Sequence, residues 1–152
     1  MNFIEFFLSP EAIARRRIAK AARSGAELLN LSCMKLRNLP PNIGLLVKLR
    51  FLHLWHNQLT SLPPQLGKCV LLEELYLSDN QLASLPESLQ HLSHLRRLYL
   101  HGNPKLHLPH EILGPKWEVV MSSEHSAVSA QSILDHYFHR HSPKGRQLSA
   151  TQ

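Results

Sequence analysis

The chain is 152 residues long and basic, with 17 Lys and Arg against 11 Asp and Glu and a formal net charge of +6. This length allows one small domain or a short array of repeats with its caps. The two separate cysteines make no zinc site, and no apolar run is long enough to span a membrane.

Residues 1–25 are predicted to form an N-terminal capping helix. Ser9 is a favourable N-cap, Pro10 suits the first helical position, and Gly25 marks the end. The apolar stripe consists of small residues, which suits close packing on the first repeat. A basic face of this size is usually solvated, so we expect neither nucleic acid nor a membrane as partner; electrostatic docking on nucleic acid or anionic lipid is kept as a weaker alternative. The basic residues of the helix are Arg15, Arg16, Arg17, Lys20 and Arg23.

From residue 49 to residue 94 the chain repeats one pattern with a period of 23 residues. LRFLHLWHNQLTSLPPQLGKCVL is followed at once by LEELYLSDNQLASLPESLQHLSH, with leucines, an asparagine and a proline at matching positions. The pattern LxxLxLxxNxL with this period indicates a leucine-rich repeat solenoid. A further, less regular unit on each side gives four repeats over residues 26–114, and terminal repeats are commonly irregular.

The predicted fold is therefore α/β, a short horseshoe-shaped solenoid with parallel strands on its concave face and a helical cap at each end. In each LxLxx segment the leucines point into the core, and the residues between them point outward onto the concave face. The asparagine that follows turns the chain and satisfies backbone groups at the turn. We predict that Asn57, Asn80 and Asn103 form a buried structural ladder.

Residues 115–141 are predicted to form the C-terminal cap or the start of a further module, and Ser129 is expected to begin a helix there. The polar residues 142–152 are predicted to be disordered. The apolar residues expected to cover the last repeat are Trp117, Val119 and Val120.

The cysteines also bear on the compartment. Cys33 occupies a solvent-facing position of the repeat and Cys69 a core position, so the two should not meet and no disulfide is expected. The apolar opening is short, is interrupted by Glu5 and lacks a basic region, so we expect no secretory signal. These features predict a cytoplasmic protein.

The outward positions of the strands supply the candidate site. The 23-residue period aligns Glu74 with Arg97 and His56 with Asp79, and both pairs are expected to interact across neighbouring strands. Aromatic residues and an arginine dominate binding hot spots, so we predict that this face binds a peptide, a loop or a weakly bound protein. The alternative is that the aromatic residues only pack on each other. The predicted contact residues are Phe51, His53, Trp55, His56, Glu74, Tyr76, Asp79, Arg97, Tyr99 and His101.

The 11 histidines raise the question of a metal site. A zinc site needs three or four converging ligands, whereas His53 and His56 diverge on one strand and the group His136, His139 and His141 lacks a fixing scaffold. No Ser/His/Asp arrangement and no paired carboxylates stand out. We therefore expect no metal, no cofactor and no enzymatic activity; the oligomeric state is left open.

The repeat with its NxLxxLPxxL segment resembles the 23-residue class of leucine-rich repeats in bacterial and Roco-type proteins. The flanks EAIARRRIAKAARSGAELLNL and HEILGPKWEVV…SILDHYF are similar to the segments that open and close such arrays. A GTPase would need the phosphate-binding motif GxxxxGK[ST], but Gly67-Lys68 is followed by Cys69 and lacks the upstream glycine. The resemblance thus implies a second hypothesis, a recognition subunit in small-GTPase signalling whose nucleotide site lies on another chain.

Overall fold

The computed structural model describes residues 8–113 and 128–141. Within them, four strands form one parallel sheet in sequential order. Residues of neighbouring strands that face each other are 23 positions apart, as the sequence period requires. The predicted α/β leucine-rich repeat solenoid with helical caps is confirmed. The strands are β1 (Leu28–Asn30), β2 (Phe51–His53), β3 (Glu74–Tyr76) and β4 (Arg97–Tyr99).

Short 3₁₀ helices form the convex side of the first three coils, and the sequence reasoning did not predict them. A proline fixes φ at or just before the first residue of each of these helices. The i→i+3 hydrogen bond from Leu66 N–H to the Pro63 carbonyl, at 3.0 Å, is typical of the tight turn. Leu66 and its equivalents Ile43 and Leu89 are buried in the core. The three convex segments are Pro41–Leu45, Pro64–Lys68 and Glu87–His91. A fourth 3₁₀ helix, Pro104–Leu106, directly follows Asn103.

The three repeat asparagines form a ladder of hydrogen bonds beneath the turns. Asn80 Oδ1 accepts from the Leu59 N–H at 3.0 Å, and its Nδ2 donates to the carbonyls of Leu54 and Leu77, each at 3.0 Å. Asn57 and Asn103 make the equivalent bonds in their own coils. Each amide therefore links its own coil to the preceding one.

Helix α1 (Pro10–Ser24) covers the first coil. Ser9 Oγ accepts a hydrogen bond from the Ala12 N–H at 3.2 Å, which satisfies a free donor of the first turn. The helix ends at Gly25, whose φ of 63° lies in the left-handed region that glycine adopts readily. Ala14 and Ile18 are fully buried, so the face of small residues does pack on the solenoid.

At the C-terminal end of the solenoid, the described residues include two helices. Helix α2 (His110–Leu113) lies inside the segment predicted to belong to the fourth repeat, and the sequence reasoning missed it. Helix α3 (Ala130–His141) begins where Ser129 Oγ accepts from the Ser132 N–H at 3.2 Å. Its Tyr137 hydroxyl accepts from the Leu85 N–H at 3.1 Å and ties the helix to the coils. The predicted covering residues Trp117, Val119 and Val120 and the tail 142–152 lie outside the described residues.

Candidate functional site

The concave face is the solvent-facing side of the sheet, and its residues line up in columns across the strands. A column is a set of residues at the same repeat position. The register places Phe51, Glu74 and Arg97 in the first column and His53, Tyr76 and Tyr99 in the second. The strands thus bring the predicted contact residues together, with the leucines between them turned into the core.

Charged groups in the first column are held in fixed pairs. Arg97 donates to Glu74 Oε1 at 2.8 Å, and the Tyr76 hydroxyl donates to Glu74 Oε2 at 2.5 Å. The Arg50 guanidinium lies over the Phe51 ring, 5.4 Å from its centre. Glu74 therefore has a partner for each carboxylate oxygen, and its orientation on the face is fixed.

An aromatic stack runs through the second column. The rings of Tyr76 and Tyr99 are stacked with centroids 4.6 Å apart, and His53 meets Tyr76 edge-on at 4.5 Å. Burial, and then the hydrogen bond to Glu74, raise the pKa of Tyr76 well above its ordinary value, so the phenol stays protonated. Burial lowers the pKa of His53 from its ordinary value of 6.5, against the opposing charge of Glu74, so the ring is neutral at pH 7.

Beyond the strands, the next two columns contain the remaining predicted residues. Trp55 meets the His56 ring edge-on at 5.2 Å, and His56 Nδ1 lies 3.5 Å from Asp79 Oδ2. His56 and Asp79 have positive φ angles of 51° and 55°, like Gly102 at 72° in the same column. The sequence reasoning missed this left-handed column, although Asp and Gly are residue types that tolerate such a conformation.

Tyr99 and His101 differ from their predicted role as surface contacts. They are only 6% and 7% exposed. The face of the Tyr99 ring is covered by Tyr76, and His101 follows the equally buried Ser78 in its column. These two residues form part of the floor, whereas Phe51, Trp55 and Tyr76 are partly exposed above it, and Arg97, His56 and Asp79 are exposed.

A row of alternating charges borders the face and was also missed. Arg50 donates to Glu73 at 2.8 Å and to Glu27 at 3.3 Å. The hydrogen bond from Arg50 lowers the pKa of Glu73 below its ordinary value. The signal was present in the sequence, because residues 27, 50, 73 and 96 read Glu, Arg, Glu, Arg at the repeat spacing.

The described residues contain neither a cluster of metal-binding side chains nor a membrane-spanning helix. In residues 8–113 and 128–141, no three His, Cys, Asp or Glu side chains converge as metal ligands would. None of the helices in this part of the chain is long and apolar enough to cross a bilayer.

Comparison with known proteins agrees with this geometry. Residues 47–104 match the family model described as leucine rich repeat. A solved structure of a leucine-rich repeat protein from Leptospira interrogans is 35% identical over 55% of this chain, with a TM-score of 0.53. The chain spans only 22% of that protein's length. No curated protein matches the chain.

The similarity to Roco-type proteins stays a prediction from the sequence. The family match, the structural likeness and the four stacked coils agree with one another. The chain therefore has the leucine-rich repeat fold, and it is similar in sequence to a bacterial leucine-rich repeat protein.

Proposed function

We propose that the chain is a non-enzymatic interaction module that binds a peptide or a loop of a protein partner on its concave face. Solenoids commonly use their concave surfaces for binding. The observation that supports the proposal is the aromatic stack of His53, Tyr76 and Tyr99, set beside the Glu74–Arg97 pair. Aromatic and arginine side chains of this kind are the usual binding hot spots.

The rigidity of the face favours binding over mere packing. Rings that already contact each other lose little freedom when a ligand arrives, so less of the interaction energy is spent on ordering them. The Tyr76 ring and the uncharged His53 ring lie beside the charged Arg97 guanidinium. A partner segment with an apolar residue next to a carboxylate would match this surface.

The size of the face limits the kind of partner. Four strands spaced about 4.8 Å apart span roughly 15 Å, well below the width needed for about 800 Å² of buried surface on one partner. An extended peptide or a single loop fits this space. A larger protein would need contacts on the rims or caps as well.

The test uses the folded chain to capture partners from its native cell, followed by measurement of Kd with the purified partner. We expect Trp55→Ala to weaken binding at least tenfold, about 1.4 kcal/mol, because it removes a large ring from the face. Phe51→Ala should act in the same direction. Gln90→Ala, on the exposed convex side, is the matched control and should bind like the parent chain.

The thermal melt separates the two interpretations of Trp55. An unchanged melt with weaker binding supports the contact role. Full binding with a lower melt would mean that the ring serves packing, and the proposal would fail. Binding that depends on GTP or GDP in the captured protein would identify the small-GTPase relation that the sequence resemblance implies.

A further inference from the structure

The positive charge of the chain is concentrated at one end of the solenoid. Residues 8–48 contain eight Lys and Arg but only two acids, Glu11 and Glu27, a net charge of +6. This equals the formal net charge of the whole chain, so the remaining residues balance to zero. The charged groups of the concave face, in contrast, are mostly paired.

The eight cations at this end form no salt bridge among the described residues, although the charge of Arg37 helps to lower the pKa of Glu11. All five basic residues of α1 are exposed, and none takes part in a salt bridge there. The two nearby acids are engaged elsewhere: Glu11 accepts from the Arg37 backbone N–H at 3.1 Å, and Glu27 binds Arg50 at 3.3 Å. The basic surface is therefore available for an external anion.

Exposed aliphatic side chains lie on the same side of the solenoid. Leu45 and Val47 are 60% and 56% exposed, and Val70 and Leu71 continue the row one coil further at 50% and 41%. In the next coil the row becomes polar, where His94 Nδ1 lies 3.1 Å from the Val70 carbonyl oxygen. Large aliphatic residues this exposed, in adjacent coils, commonly mark an interaction site.

A groove joins the basic and the aliphatic residues. It lies between the end of α1 and the turn before β2, is lined by residues 21–26 and 45–48, and has a volume of about 260 Å³. We call it the edge groove. Arg23 and Lys48 line it together with Leu45 and Val47. The Lys48 stem lies against the α1 terminus, with Cδ 3.5 Å from where a Cβ on Gly25 would be.

We propose that the edge groove binds an acidic amphipathic segment of a protein partner. The aliphatic side chains of the bound segment cover Leu45 and Val47. The carboxylates of the segment pair with Arg23, Lys48 and the basic face of α1. The phosphates of a nucleic acid would pair with the cations but would leave the exposed aliphatic side chains uncovered. A flat bilayer would not reach into a recessed groove, and the described part of this edge has no exposed aromatic residue for a membrane interface.

The test measures fluorescence anisotropy of a labelled synthetic peptide of glutamate and leucine, with the leucines on one helical face, added to the full chain at moderate salt. Arg23→Gln combined with Lys48→Gln should weaken binding at least tenfold, and Val47→Ser at least threefold. Lys105→Gln, an exposed cation in a later coil, is the matched charge control and should change nothing. Trp55→Ala should also leave this binding unchanged, which separates the edge groove from the concave-face proposal.

Control ligands decide between the possible occupants. Peptides with glutamine for glutamate, or with serine for leucine, should bind at least tenfold more weakly. Equal binding of the serine peptide would reduce the surface to simple charge attraction and overturn the proposal. So would tighter binding of single-stranded RNA or phosphatidylserine vesicles, self-association of the chain that Val47→Ser abolishes, or no binding of the acidic peptide.

Discussion

At the scale of single residues, the same side-chain type is used either for the scaffold or for the surface according to its place in the repeat. The Asn80 amide bonds four buried backbone groups of two coils, because it combines two donor hydrogens with an acceptor oxygen on a short side chain. Exposed Asn30, by contrast, only accepts from the nearby Ser32 N–H at 2.9 Å. Burial makes the first interaction far more costly to lose.

Asn80→Ala should lower the free energy of unfolding by roughly 1–3 kcal/mol, because the buried Leu59 N–H loses its partner. The Leu54 and Leu77 carbonyls each lose one of their two asparagine donors. Urea denaturation measures the change. Gln81→Ala alters the exposed neighbour and should have little effect. An unchanged urea midpoint in the Asn80 variant would contradict a structural role for the ladder.

The two free thiols should differ sharply in reactivity. Cys69 is fully buried, its Sγ lies 3.4 Å from the Ile43 carbonyl oxygen, and burial raises its pKa to about 11. At pH 8 it is therefore protonated and inaccessible, whereas Cys33 is exposed. Iodoacetamide should modify Cys33 alone in the native chain and both thiols in urea, as mass spectrometry would show. Rapid native labelling of Cys69 would contradict the described core.

At the scale of elements, α1 is the cap that covers the exposed core of the first coil. A solenoid coil contacts only its neighbours, so the first coil would expose its leucines without the helix. The small residues of α1 let the helix lie close, and Ile18 fills the remaining space with no exposed surface. The hydroxyl of Ser9 and the left-handed Gly25 fix where the helix begins and ends.

Ile18→Ala should destabilise the chain by about 2–5 kcal/mol, because it leaves a cavity under the helix. The effect should be local, since a coil transmits stability mainly to its nearest neighbour. Hydrogen exchange should accelerate most in β1 and least in β4. Ala19→Ser, one position further on and only partly buried, is the control. Uniform acceleration across all four strands would argue against a capping role.

At the scale of the whole molecule, the repeat period was sufficient to predict the register and the columns. Pairs such as His56–Asp79 followed from that alignment alone. Exposure could not be predicted in the same way, because it depends on how much of each side chain its neighbours cover. Tyr99 and His101 share columns with exposed residues and are nevertheless buried. The exposure of Val47 could not be predicted either, since an aliphatic residue in a repeat is usually assigned to the core.

Charge shows the same limit of pattern reading. The basic residues of α1 were evident in the sequence, but their availability became visible only when Glu11 and Glu27 proved to be engaged with Arg37 and Arg50. An unpaired charge is a property of the folded surface. The polarity of the molecule, basic at one end and neutral beyond it, therefore belongs to the assembled solenoid and not to any single repeat.

The asparagine ladder has a consequence for how such a protein can change in length. Each coil offers the next one the same set of donors and acceptors that it received from the coil before. A duplicated coil would find matching hydrogen-bond partners on both sides. The surface residues of a coil can therefore vary independently of the hydrogen bonds that connect it to its neighbours. Added coils would extend the recognition surface without any change in the sequence of the existing coils.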